Sequence, residues 1–280
     1  MKSQKMLALD LDGTLLNSAL EITPTSRAAI QKAVQAGVEV IVSTGRPYDR
    51  IPAELALLGV RYAITANGSA VYKLPDKQCL YADYFSLEEF LPLAQKLTEF
   101  DILFHIFLDG HCYSQYNQYL NIYKMQVSEA KRNFLLSAST YVENLIAFLK
   151  ERNLPVQKGT TNFYPLEDGT YKDRDAVFAY LSSNPKLQVA NGGDVNLEFT
   201  KAGVSKAKGL AFLSDLLGIP MQQTIVIGDS ENDLDIITAA GTGVAMANAG
   251  DIVKEAADFV TLSNDADGVA SAIEKLGLIS

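Results

Sequence analysis

The sequence predicts an α/β protein with a doubly wound parallel sheet, and three observations support this fold class. Short apolar runs alternate with helical patterns at both ends of the chain, as in parallel strands joined by helical crossovers. These runs end in small polar loops, as expected of buried central strands. Residues 83–193 are richer in Tyr, Phe and Asn and alternate less regularly. We therefore expect a discontinuous core of 1–82 and 194–280, an α/β domain inserted at 83–193, and a hinge at Gly192-Gly193.

The first half of the core is predicted to run strand, helix, strand, helix, strand. Residues 5–9 form an apolar run that ends abruptly in a turn containing Asp and Gly, so we expect a buried strand there. Thr23 can cap a helix that begins with Pro24, since proline suits the first helical position. The later elements of this half are a strand at 38–42, a helix that ends near Leu58 and a strand at 62–64.

The second half of the core repeats this alternation, and the inserted domain has helices and strands of its own. In the core we expect helices at 205–217, 231–239 and 265–276 and strands at 224–227 and 243–246. In the inserted domain we expect helices near 86–99, 138–152 and 173–182 and strands near 102–108 and 186–190.

The charge of the chain limits the partners that it can bind. Asp and Glu number 33 against 24 Lys and Arg, which leaves a formal charge of −9. Nucleic acids and anionic membranes attract basic proteins, so neither is an expected partner. No apolar stretch approaches the ~20 residues of a spanning helix, and we expect no signal peptide. The sequence predicts a soluble, cytoplasmic protein in which Cys79 and Cys112 are reduced.

Two carboxylates directly follow the first predicted strand, in the loop Asp10-Leu11-Asp12-Gly13-Thr14. Residues two apart in an extended chain point to the same side, so we expect Asp10 and Asp12 to lie close together. Two such charges repel unless a cation lies between them, and carboxylate oxygens suit Mg²⁺. The loop therefore predicts a magnesium site, and a solvated Asp-rich turn is the alternative interpretation.

Three further loops carry groups that suit a phosphate and a cation. Thr44-Gly45 ends the second strand and offers a hydroxyl and backbone N–H groups. Lys206 lies at a helix N-terminus, where a cation is unfavourable unless an anion is near. Asp229 and Asp233 follow a third strand one helical turn apart, so both can face one cation. We expect all these loops at the C-terminal ends of strands, where doubly wound sheets bind ligands.

These motifs resemble, in order, the four motifs of the haloacid dehalogenase superfamily. The resemblance is carried by Asp10-x-Asp12-Gly13-Thr14, Thr44-Gly45-Arg46, Lys206 and Gly228-Asp229-x-x-Asn232-Asp233. Asn67-Gly68 and the run Gly243-Val244-Ala245-Met246-Ala247-Asn248-Ala249 also resemble the Cof-type sugar phosphatases of that superfamily. The resemblance covers the whole chain in order and length and is least specific across 83–193.

The resemblance implies a Rossmann-like core with an inserted α/β cap and a phosphatase that forms an aspartyl phosphate. It implies Asp10 as the nucleophile and Asp12 as the general acid and base. The implied ligands of Mg²⁺ are the Asp10 carboxylate, the Asp12 backbone carbonyl and Asp229, with Asp233 in support. The implied phosphate contacts are the Leu11 backbone, Thr44, Gly45, Lys206 and Asn232, and we expect Arg46 and Asn67 near the substrate.

The expected substrate is a small phosphorylated metabolite. A phosphorylated sugar is the family expectation, and flavin and pyridoxal phosphates are further candidates. Two other functions stay open, a phosphomutase and a non-catalytic phosphate-sensing module that is phosphorylated at Asp10. His105 and His111 lack the carboxylate spacing of a metal site, so we expect packed or surface side chains. The sequence does not predict an oligomeric state.

Overall fold

The computed structural model describes residues 5–191 and 195–279. The chain divides into two units. The core unit comprises Met1–Arg46, Ile51–Ala82 and Ser205–Ser280, and the cap unit comprises Pro47–Arg50 and Asp83–Val204. Each unit is built on a sheet of its own, with eight strands in the core unit and six in the cap unit.

The strands and helices are numbered in chain order. The strands are β1 (Met6–Leu9), β2 (Glu39–Ser43), β3 (Tyr62–Thr65), β4 (Ala70–Lys73), β5 (Gln78–Ala82), β6 (Leu103–Leu108), β7 (His111–Gln115), β8 (Thr140–Val142), β9 (Val156–Asn162), β10 (Leu187–Asn191), β11 (Asn196–Lys201), β12 (Thr224–Gly228), β13 (Thr242–Ala245) and β14 (Phe259–Val260). The α-helices are α1 (Pro24–Gln35), α2 (Glu54–Leu57), α3 (Leu87–Leu97), α4 (Glu129–Ala138), α5 (Leu145–Arg152), α6 (Arg174–Ser182), α7 (Lys206–Leu217), α8 (Leu234–Ala239), α9 (Asp251–Ala256) and α10 (Gly268–Lys275). Among the described residues, no helix combines the length and the apolar character that crossing a membrane requires.

The sheet of the core unit has the order β14-β13-β12-β1-β2-β3-β4-β5. Its strands are parallel from β14 to β3, and β4 and β5 run antiparallel at one edge. The strand order runs outward in both directions from β1, with β12 on one side and β2 on the other. This is a doubly wound arrangement, and it confirms the predicted fold class.

All four residues of β1 are buried, as expected when helices cover both faces of a sheet. Met6 and Ala8 belong to an apolar cluster with Leu210 and Leu213 of α7. The other two side chains of β1 point to the opposite face of the sheet. On the sheet, α7 packs against β3 and α8, whereas α1 packs against β2 and α10. The loops that follow β1, β2 and β12 are thus supported by a sheet that is packed on both sides.

Two helices of the core unit begin as the sequence predicts. Thr23 caps α1, and its hydroxyl accepts a hydrogen bond from the Ser26 amide at 3.1 Å. Ser205 caps α7, and its hydroxyl accepts a hydrogen bond from the Lys208 amide at 3.3 Å. Each cap satisfies an amide that the first turn of a helix leaves unpaired.

The sheet of the cap unit has the order β10-β11-β9-β6-β7-β8 and is antiparallel except between β7 and β8. One face packs against α3, α5 and α6 through a cluster of buried apolar side chains. At its centre Phe90, Phe104 and Phe199 stack with ring centroids 6.0, 6.3 and 6.4 Å apart. The cap unit therefore has an apolar core of its own.

The predicted helix that ends near Leu58 is much shorter in the structure. An isolated 3-10 turn spans Tyr48–Arg50, and α2 covers only four residues after it. Pro52 lies between them, and a proline cannot donate the backbone hydrogen bond that a continuous helix needs there. The prediction of one continuous helix is therefore wrong.

The predicted helix at 138–152 is wrong in its first half. Residues Thr140–Val142 form β8, in keeping with the preference of β-branched residues for strands. The helix α5 then begins after Asn144, whose side chain accepts a hydrogen bond from the Ala147 amide at 2.9 Å. This cap marks a new helix start inside the predicted range.

The return from the cap unit to the core unit comes later than predicted. The predicted return is at residue 194, and the predicted hinge at Gly192-Gly193 lies outside the described residues. Asn196–Lys201 pairs with β9 on one side and β10 on the other, so its backbone hydrogen bonds join it to the cap sheet. The cap unit therefore extends to Val204, and the core unit resumes at Ser205.

Candidate active site

The candidate site lies at the carboxyl edge of the core sheet, where β12, β1 and β2 are neighbours. Asp10 follows β1, Thr44 follows β2 and Asp229 follows β12. Because these strands are parallel and adjacent, the loops after them meet at one edge of the sheet. Asp10 continues the hydrogen bonding between β1 and β12, since its amide donates a hydrogen bond to the Ile227 carbonyl at 3.0 Å. The sheet thus brings together motifs that are distant in the sequence.

Lys206 is the cation at the centre of the site. It is the first residue of α7, and only 1% of it is exposed. Its ammonium donates to Asp10 Oδ1 at 2.9 Å and Asp233 Oδ1 at 2.6 Å, and Asn232 Oδ1 lies 3.4 Å away. Burial alone would lower the pKa of Lys206, but attraction to the two carboxylates outweighs it and raises the pKa above its usual value. Lys206 is therefore charged, and its carboxylate partners offset its unfavourable place at a helix N-terminus.

Asp10 is a buried carboxyl group in a crowded acidic cluster, with 6% of the residue exposed. Burial raises the pKa of this carboxyl well above its usual value. Lys206 lowers the pKa, whereas the neighbouring carboxylates of Asp233 and Asp229 raise it. The site therefore holds more negative charge than one lysine balances, and this favours the binding of a further cation.

Asp229 is held by hydroxyl groups on two loops. Thr14 Oγ1 donates to Asp229 Oδ1 at 2.8 Å, and Ser230 Oγ donates to Asp229 Oδ2 at 3.2 Å. Burial and then repulsion from Asp233 raise the pKa of Asp229 to about 6. Gly13 has a φ of +79°, and a Cβ atom at this position would overlap Asp229 Oδ2. The turn after β1 therefore needs glycine both for its backbone conformation and for its approach to Asp229.

Asp233 uses both of its carboxylate oxygens within the site. Oδ1 accepts a hydrogen bond from Lys206, and Oδ2 accepts hydrogen bonds from the Asp229 and Ser230 amides, each at 3.2 Å. Asp233 thereby fixes the loop that follows β12 and orients Lys206. These contacts fit a supporting residue better than a direct ligand.

The donor set at this edge of the sheet fits a hard divalent cation. Carboxylate oxygens of Asp10, Asp229 and Asp233 all lie within 4.8 Å of one another. Divalent cations such as Mg²⁺ prefer oxygen ligands, and carboxylates in particular. Burial raises the pKa values of Asp10 and Asp229, and repulsion from the neighbouring carboxylates raises them further, so a bound cation would relieve part of the unfavourable charge. Asp10 and Asp229 could hold such an ion directly.

The loops after β2 and β3 are joined by backbone hydrogen bonds. The Asn67 amide donates to the Thr44 carbonyl at 3.2 Å, and the Ala66 amide donates to the Arg46 carbonyl at 3.0 Å. Thr44 is buried, and Gly45 lies next to it at the turn. Asn67 has a left-handed φ of 58°. The loop that carries Thr44, Gly45 and Arg46 is therefore held by the loop that carries Asn67.

Asn67 also connects this pair of loops to the lysine cluster. Its Oδ1 lies 3.4 Å from Asn232 Nδ2, and Asn232 Oδ1 in turn faces the Lys206 ammonium. Gly68 makes the approach possible, because a Cβ atom there would overlap the Ser205 carbonyl at the start of α7. The structure thus brings Asn67 and Asn232, two of the predicted site residues, together next to Lys206.

Asp12 lies in a different arrangement from the one that its spacing predicts. The spacing places its carboxylate beside that of Asp10, around a shared cation. In the structure the Asp12 carboxylate is bound by Arg46, whose Nε and Nη2 each donate to one oxygen at 2.7 Å. β1 ends at Leu9, so the alternation of an extended strand no longer applies at Asp12. Leu11, between the two aspartates, is fully buried.

One residue of this region is missing from the predicted site. Asn248 Nδ2 donates to the Gly13 carbonyl at 2.8 Å, and Asn248 Oδ1 accepts from the Asn264 amide at 3.1 Å. Asn248 thereby holds the turn that carries the first motif. It belongs to the run from Gly243 to Ala249, which resembles the Cof-type proteins, but no local pattern indicates its contact with Gly13.

Comparisons with known sequences identify relatives along the whole chain. The profile of the haloacid dehalogenase-like hydrolases matches residues 7–273. The 5-amino-6-(5-phospho-D-ribitylamino)uracil phosphatase YcsE of Bacillus subtilis (strain 168) is 34% identical over 271 residues, which cover 96% of this chain and 94% of that protein. The pyridoxal phosphate phosphatase YbhA of Escherichia coli (strain K12) is 29% identical over 286 residues, 96% of this chain and 97% of that protein.

A solved structure agrees with these sequence comparisons. A haloacid dehalogenase-like hydrolase from B. subtilis matches this chain with a TM-score of 0.83 and 26% identity, over 98% of this chain and 100% of that one. The profile match spans nearly all of the sequence. The resemblance of the four motifs is therefore confirmed, and the chain is an enzyme that belongs to the haloacid dehalogenase-like hydrolases.

Proposed function

We propose that this protein is a Mg²⁺-dependent phosphatase that hydrolyses a small phosphorylated metabolite through an aspartyl phosphate at Asp10. The observation that carries the proposal is the buried cluster in which Lys206 contacts both Asp10 and Asp233. A cation beside a nucleophilic carboxylate lowers the repulsion that a phosphate dianion meets in an acidic protein. The relatives named as phosphatases support the same class of activity.

Asp10 is the proposed nucleophile. Its Oδ1 accepts a hydrogen bond from Lys206, so the second oxygen can attack phosphorus while the lysine balances the charge. The new bond forms between the Asp10 carboxylate and phosphorus, and the bond from phosphorus to the ester oxygen breaks. Water then attacks the aspartyl phosphate and releases inorganic phosphate. Two easier steps thereby replace one difficult hydrolysis.

Asp12 is the proposed general acid and base. Its carboxyl group gives a proton to the departing alcohol oxygen and later takes a proton from the water that attacks the aspartyl phosphate. Arg46 holds both oxygens of this group and so fixes its direction. The Asp12 side chain is 41% exposed, so its carboxyl group is accessible to a substrate.

The phosphate group is proposed to bind where the loops of the core unit meet. Backbone N–H groups and a buried hydroxyl are suited to stabilise the charge that develops on the phosphoryl oxygens. Lys206 and Asn232 face the same cluster as Asp10. The proposed phosphate ligands are the Thr44 hydroxyl, the Lys206 ammonium, the Asn232 amide and the backbone N–H groups of Leu11 and Gly45.

Mg²⁺ is the proposed cofactor, held by the carboxylates of Asp10 and Asp229 and the backbone carbonyl of Asp12, with Asp233 in support. When bound, the ion supplies positive charge that offsets carboxylate repulsion and polarises a phosphoryl oxygen. Thr14 orients the Asp229 carboxylate, and Lys206 orients that of Asp10. These two contacts leave the acidic cluster ordered for an incoming cation and phosphate.

A phosphorylated sugar or sugar alcohol is the proposed substrate class. The name of the B. subtilis relative includes a phosphorylated ribityl chain, and that of the E. coli relative includes pyridoxal phosphate. A ribityl chain is a polyol, so the first of these names agrees with the sugar phosphate that the sequence predicts. Phosphorylated polyols therefore belong in any substrate panel.

The first test measures the release of inorganic phosphate from p-nitrophenyl phosphate and from a panel of sugar and polyol phosphates, with Mg²⁺ and with EDTA. Turnover that requires Mg²⁺ and disappears in Asp10→Asn would support the proposal. Asp251→Asn is the matched control, since it makes the same change at an exposed residue of α9. No phosphate release from folded, Mg²⁺-loaded protein would refute hydrolysis, and transfer between sugar hydroxyls would indicate a phosphomutase.

A further inference from the structure

A cavity of about 590 Å³ lies within the cap unit, lined by residues of α3, α6, β10 and β11 and the loops beside them. Cavities of this volume are typical of small-molecule sites in proteins. Every residue that lines it falls within 85–202, so the cavity belongs to the cap unit alone. A ligand can therefore bind there without the residues that carry the proposed chemistry, and we call it the cap cavity.

The most deeply buried residues that line the cap cavity are apolar. Phe85 and Leu93 are 2% and 5% exposed, and both belong to the apolar core of the cap unit. Leu187 of β10 and Tyr180 of α6 add further apolar surface to the lining. Contact with an apolar group removes such surface from water, which is favourable. The cap cavity is therefore suited to a ligand that carries an apolar group.

Two glutamates line the cap cavity from α3. Glu88 and Glu89 are exposed residues of the first turn, and Glu89 lies one helical turn before Leu93 on the same side of the helix. The Glu89 carboxylate is engaged, since it accepts a hydrogen bond from the Ser86 amide at 2.8 Å in the cap of α3. Among the described residues, the Glu88 side chain has no ion pair or hydrogen bond. Glu88 is therefore available to a cationic group.

Two lysines line the cap cavity from the sheet. Lys201 ends β11 directly opposite Leu187, so the two side chains point to the same face. Lys186 immediately precedes β10, and its carbonyl accepts a hydrogen bond from the Ala202 amide at 2.8 Å. The Lys201 ammonium lies 3.4 Å from Asp83 Oδ1. Within residues 5–191 and 195–279 the Lys186 ammonium forms no ion pair, so it is available to an anionic group.

The charges that line the cap cavity are balanced, with two glutamates on the helix and two lysines at the strand ends. The hydrogen bond from Ser86 lowers the pKa of Glu89, and attraction to Lys201 and Lys186 contributes to the same shift. A polyanion such as a phosphate ester would approach the glutamates, and a simple amine would approach the lysines. Like charges disfavour both. The lining therefore favours a ligand that carries one charge of each sign.

We propose that the cap cavity binds a free amino acid with a large apolar side chain. Its carboxylate pairs with the Lys186 ammonium, and its ammonium pairs with the Glu88 carboxylate. Its side chain covers Phe85 and Leu93, the buried apolar residues of the lining. An amino acid thereby uses both available charges and the apolar surface together. This ligand is not the phosphorylated substrate, and the cavity is a second binding site.

Three aromatic compounds that differ in charge test the proposal. L-phenylalanine carries both charges, 3-phenylpropionate carries only the carboxylate, and phenethylamine carries only the ammonium. Binding to the whole chain is measured by chemical-shift titration. We expect a Kd of about 1 mM for L-phenylalanine and values about fivefold or more higher for the other two compounds.

Glycine tests the apolar part of the cavity, because it carries both charges and no side chain. We expect glycine to bind about fivefold or more weakly than L-phenylalanine. Equal affinities for L-phenylalanine and the two compounds with one charge would overturn the assignment of a zwitterion. No binding of L-phenylalanine at about 10 mM would overturn the proposal as a whole.

Lys186→Met and Glu88→Gln assign the two charges of the ligand. Lys186→Met should weaken L-phenylalanine and 3-phenylpropionate about fivefold and should not weaken phenethylamine. Glu88→Gln should weaken L-phenylalanine and phenethylamine by a similar factor and should not weaken 3-phenylpropionate. Lys150→Met and Glu151→Gln make the same changes at exposed residues of α5 and are the matched controls. A variant that weakens all three compounds equally would contradict the assigned pairs.

Asp10→Asn separates this proposal from the proposed phosphatase function. The compounds in the test carry no phosphate, and Asp10 belongs to the core unit. We therefore expect Asp10→Asn to bind L-phenylalanine with the affinity of the wild type, whether or not the wild type hydrolyses phosphate esters. Loss of L-phenylalanine binding in folded Asp10→Asn would overturn a site that is confined to the cap unit.

Discussion

Arg46 holds both carboxylate oxygens of Asp12, with Nε and Nη2 each 2.7 Å from one oxygen. A bidentate guanidinium–carboxylate pair fixes the direction of the carboxylate as well as its distance. The Arg46 side chain is 10% exposed, against 41% for Asp12, so a buried cation positions an accessible carboxylate. This arrangement suits a group that must meet a substrate. Arg46 is therefore a positioning residue for the proposed acid and base.

Arg46→Lys should impair catalysis most for esters of poor leaving groups. Lysine keeps the charge, but one ammonium cannot bind the two oxygens of Asp12 in a planar fork. Proton donation matters most when a basic alkoxide departs, and least when p-nitrophenolate departs. We expect kcat to fall about tenfold or more with a sugar phosphate, and markedly less with p-nitrophenyl phosphate. Equal losses with both substrates would contradict a role for Arg46 in positioning Asp12.

Lys206→Met should destabilise the core unit strongly. The substitution leaves the buried carboxylates of Asp10 and Asp233 without the ammonium that contacts both. Removing one partner from a buried ion pair costs about 3–5 kcal/mol in the free energy of unfolding. Urea unfolding in EDTA measures this change as a lower midpoint with an unchanged slope.

Lys208→Met is the matched control for that experiment. Lys208 lies in the same helix and is exposed, so its loss should change the free energy of unfolding by less than about 0.5 kcal/mol. Similar losses in the two variants would show that the helix, and not the buried cluster around Lys206, is responsible for the effect.

The Asp229 carboxyl group should make the metal-free protein less stable as the pH rises. The pKa of Asp229 is raised from 3.8 to about 6, so the folded state binds the proton more tightly than the unfolded chain does. The resulting stabilisation is complete below pH 3.8 and is lost as the pH rises through about 6. A shift of this size corresponds to up to about 3 kcal/mol. The pKa of Asp10 is shifted in the same direction.

The contribution of Asp229 is measured as a difference from Asp229→Asn. Carboxyl groups elsewhere, such as Asp101 and Asp265, have lowered pKa values and act in the opposite direction with pH. We therefore expect the free energy of unfolding of the wild type, relative to Asp229→Asn in EDTA, to decrease between about pH 4 and pH 7. A difference that stays constant or increases over this range would contradict the raised pKa.

The sequence predicts the strands of the core unit better than those of the cap unit for a physical reason. Strands such as β1 are buried on both faces, so they appear as continuous apolar runs. β9 is also fully buried, but its sequence VQKGTTN has one apolar residue. It is a strand because β6 and β11 pair with it on both sides, and such pairing cannot be predicted from local pattern. The local pattern does not predict β11 either, and the predicted domain boundary therefore lies too early in the chain.

The candidate site shows the same division between local and long-range information. Asp10, Lys206 and Asp229 each follow or begin a recognisable element, so their place at the sheet edge could be predicted. The contacts from Thr14 to Asp229 and from Asn248 to Gly13 join loops that are distant in the sequence. Such contacts depend on how the loops fold back, and spacing alone does not indicate them.

Thr14→Val should weaken the binding of Mg²⁺. The Thr14 hydroxyl donates to Asp229 Oδ1 at 2.8 Å, so it orients a carboxylate that we propose as a metal ligand. Losing a group that orients a ligand typically costs about 10–100-fold in metal affinity. We expect the Mg²⁺ concentration for half-maximal turnover to rise by about tenfold or more. Thr25→Val makes the same change at an exposed residue of α1 and is the control.

The effect of Thr14→Val should also depend on pH. The hydrogen bond from Thr14 lowers the pKa of Asp229, so valine should raise that pKa further above its value of about 6. Protons then compete with Mg²⁺ for the carboxylate up to a higher pH than in the wild type. The loss of Mg²⁺ affinity should therefore be greater near pH 6 than near pH 8, as measured by titration of the metal-free protein with Mg²⁺. An equal loss at both values would mean that Thr14 acts on the geometry of Asp229 alone, and an unchanged affinity would contradict its role in the metal site.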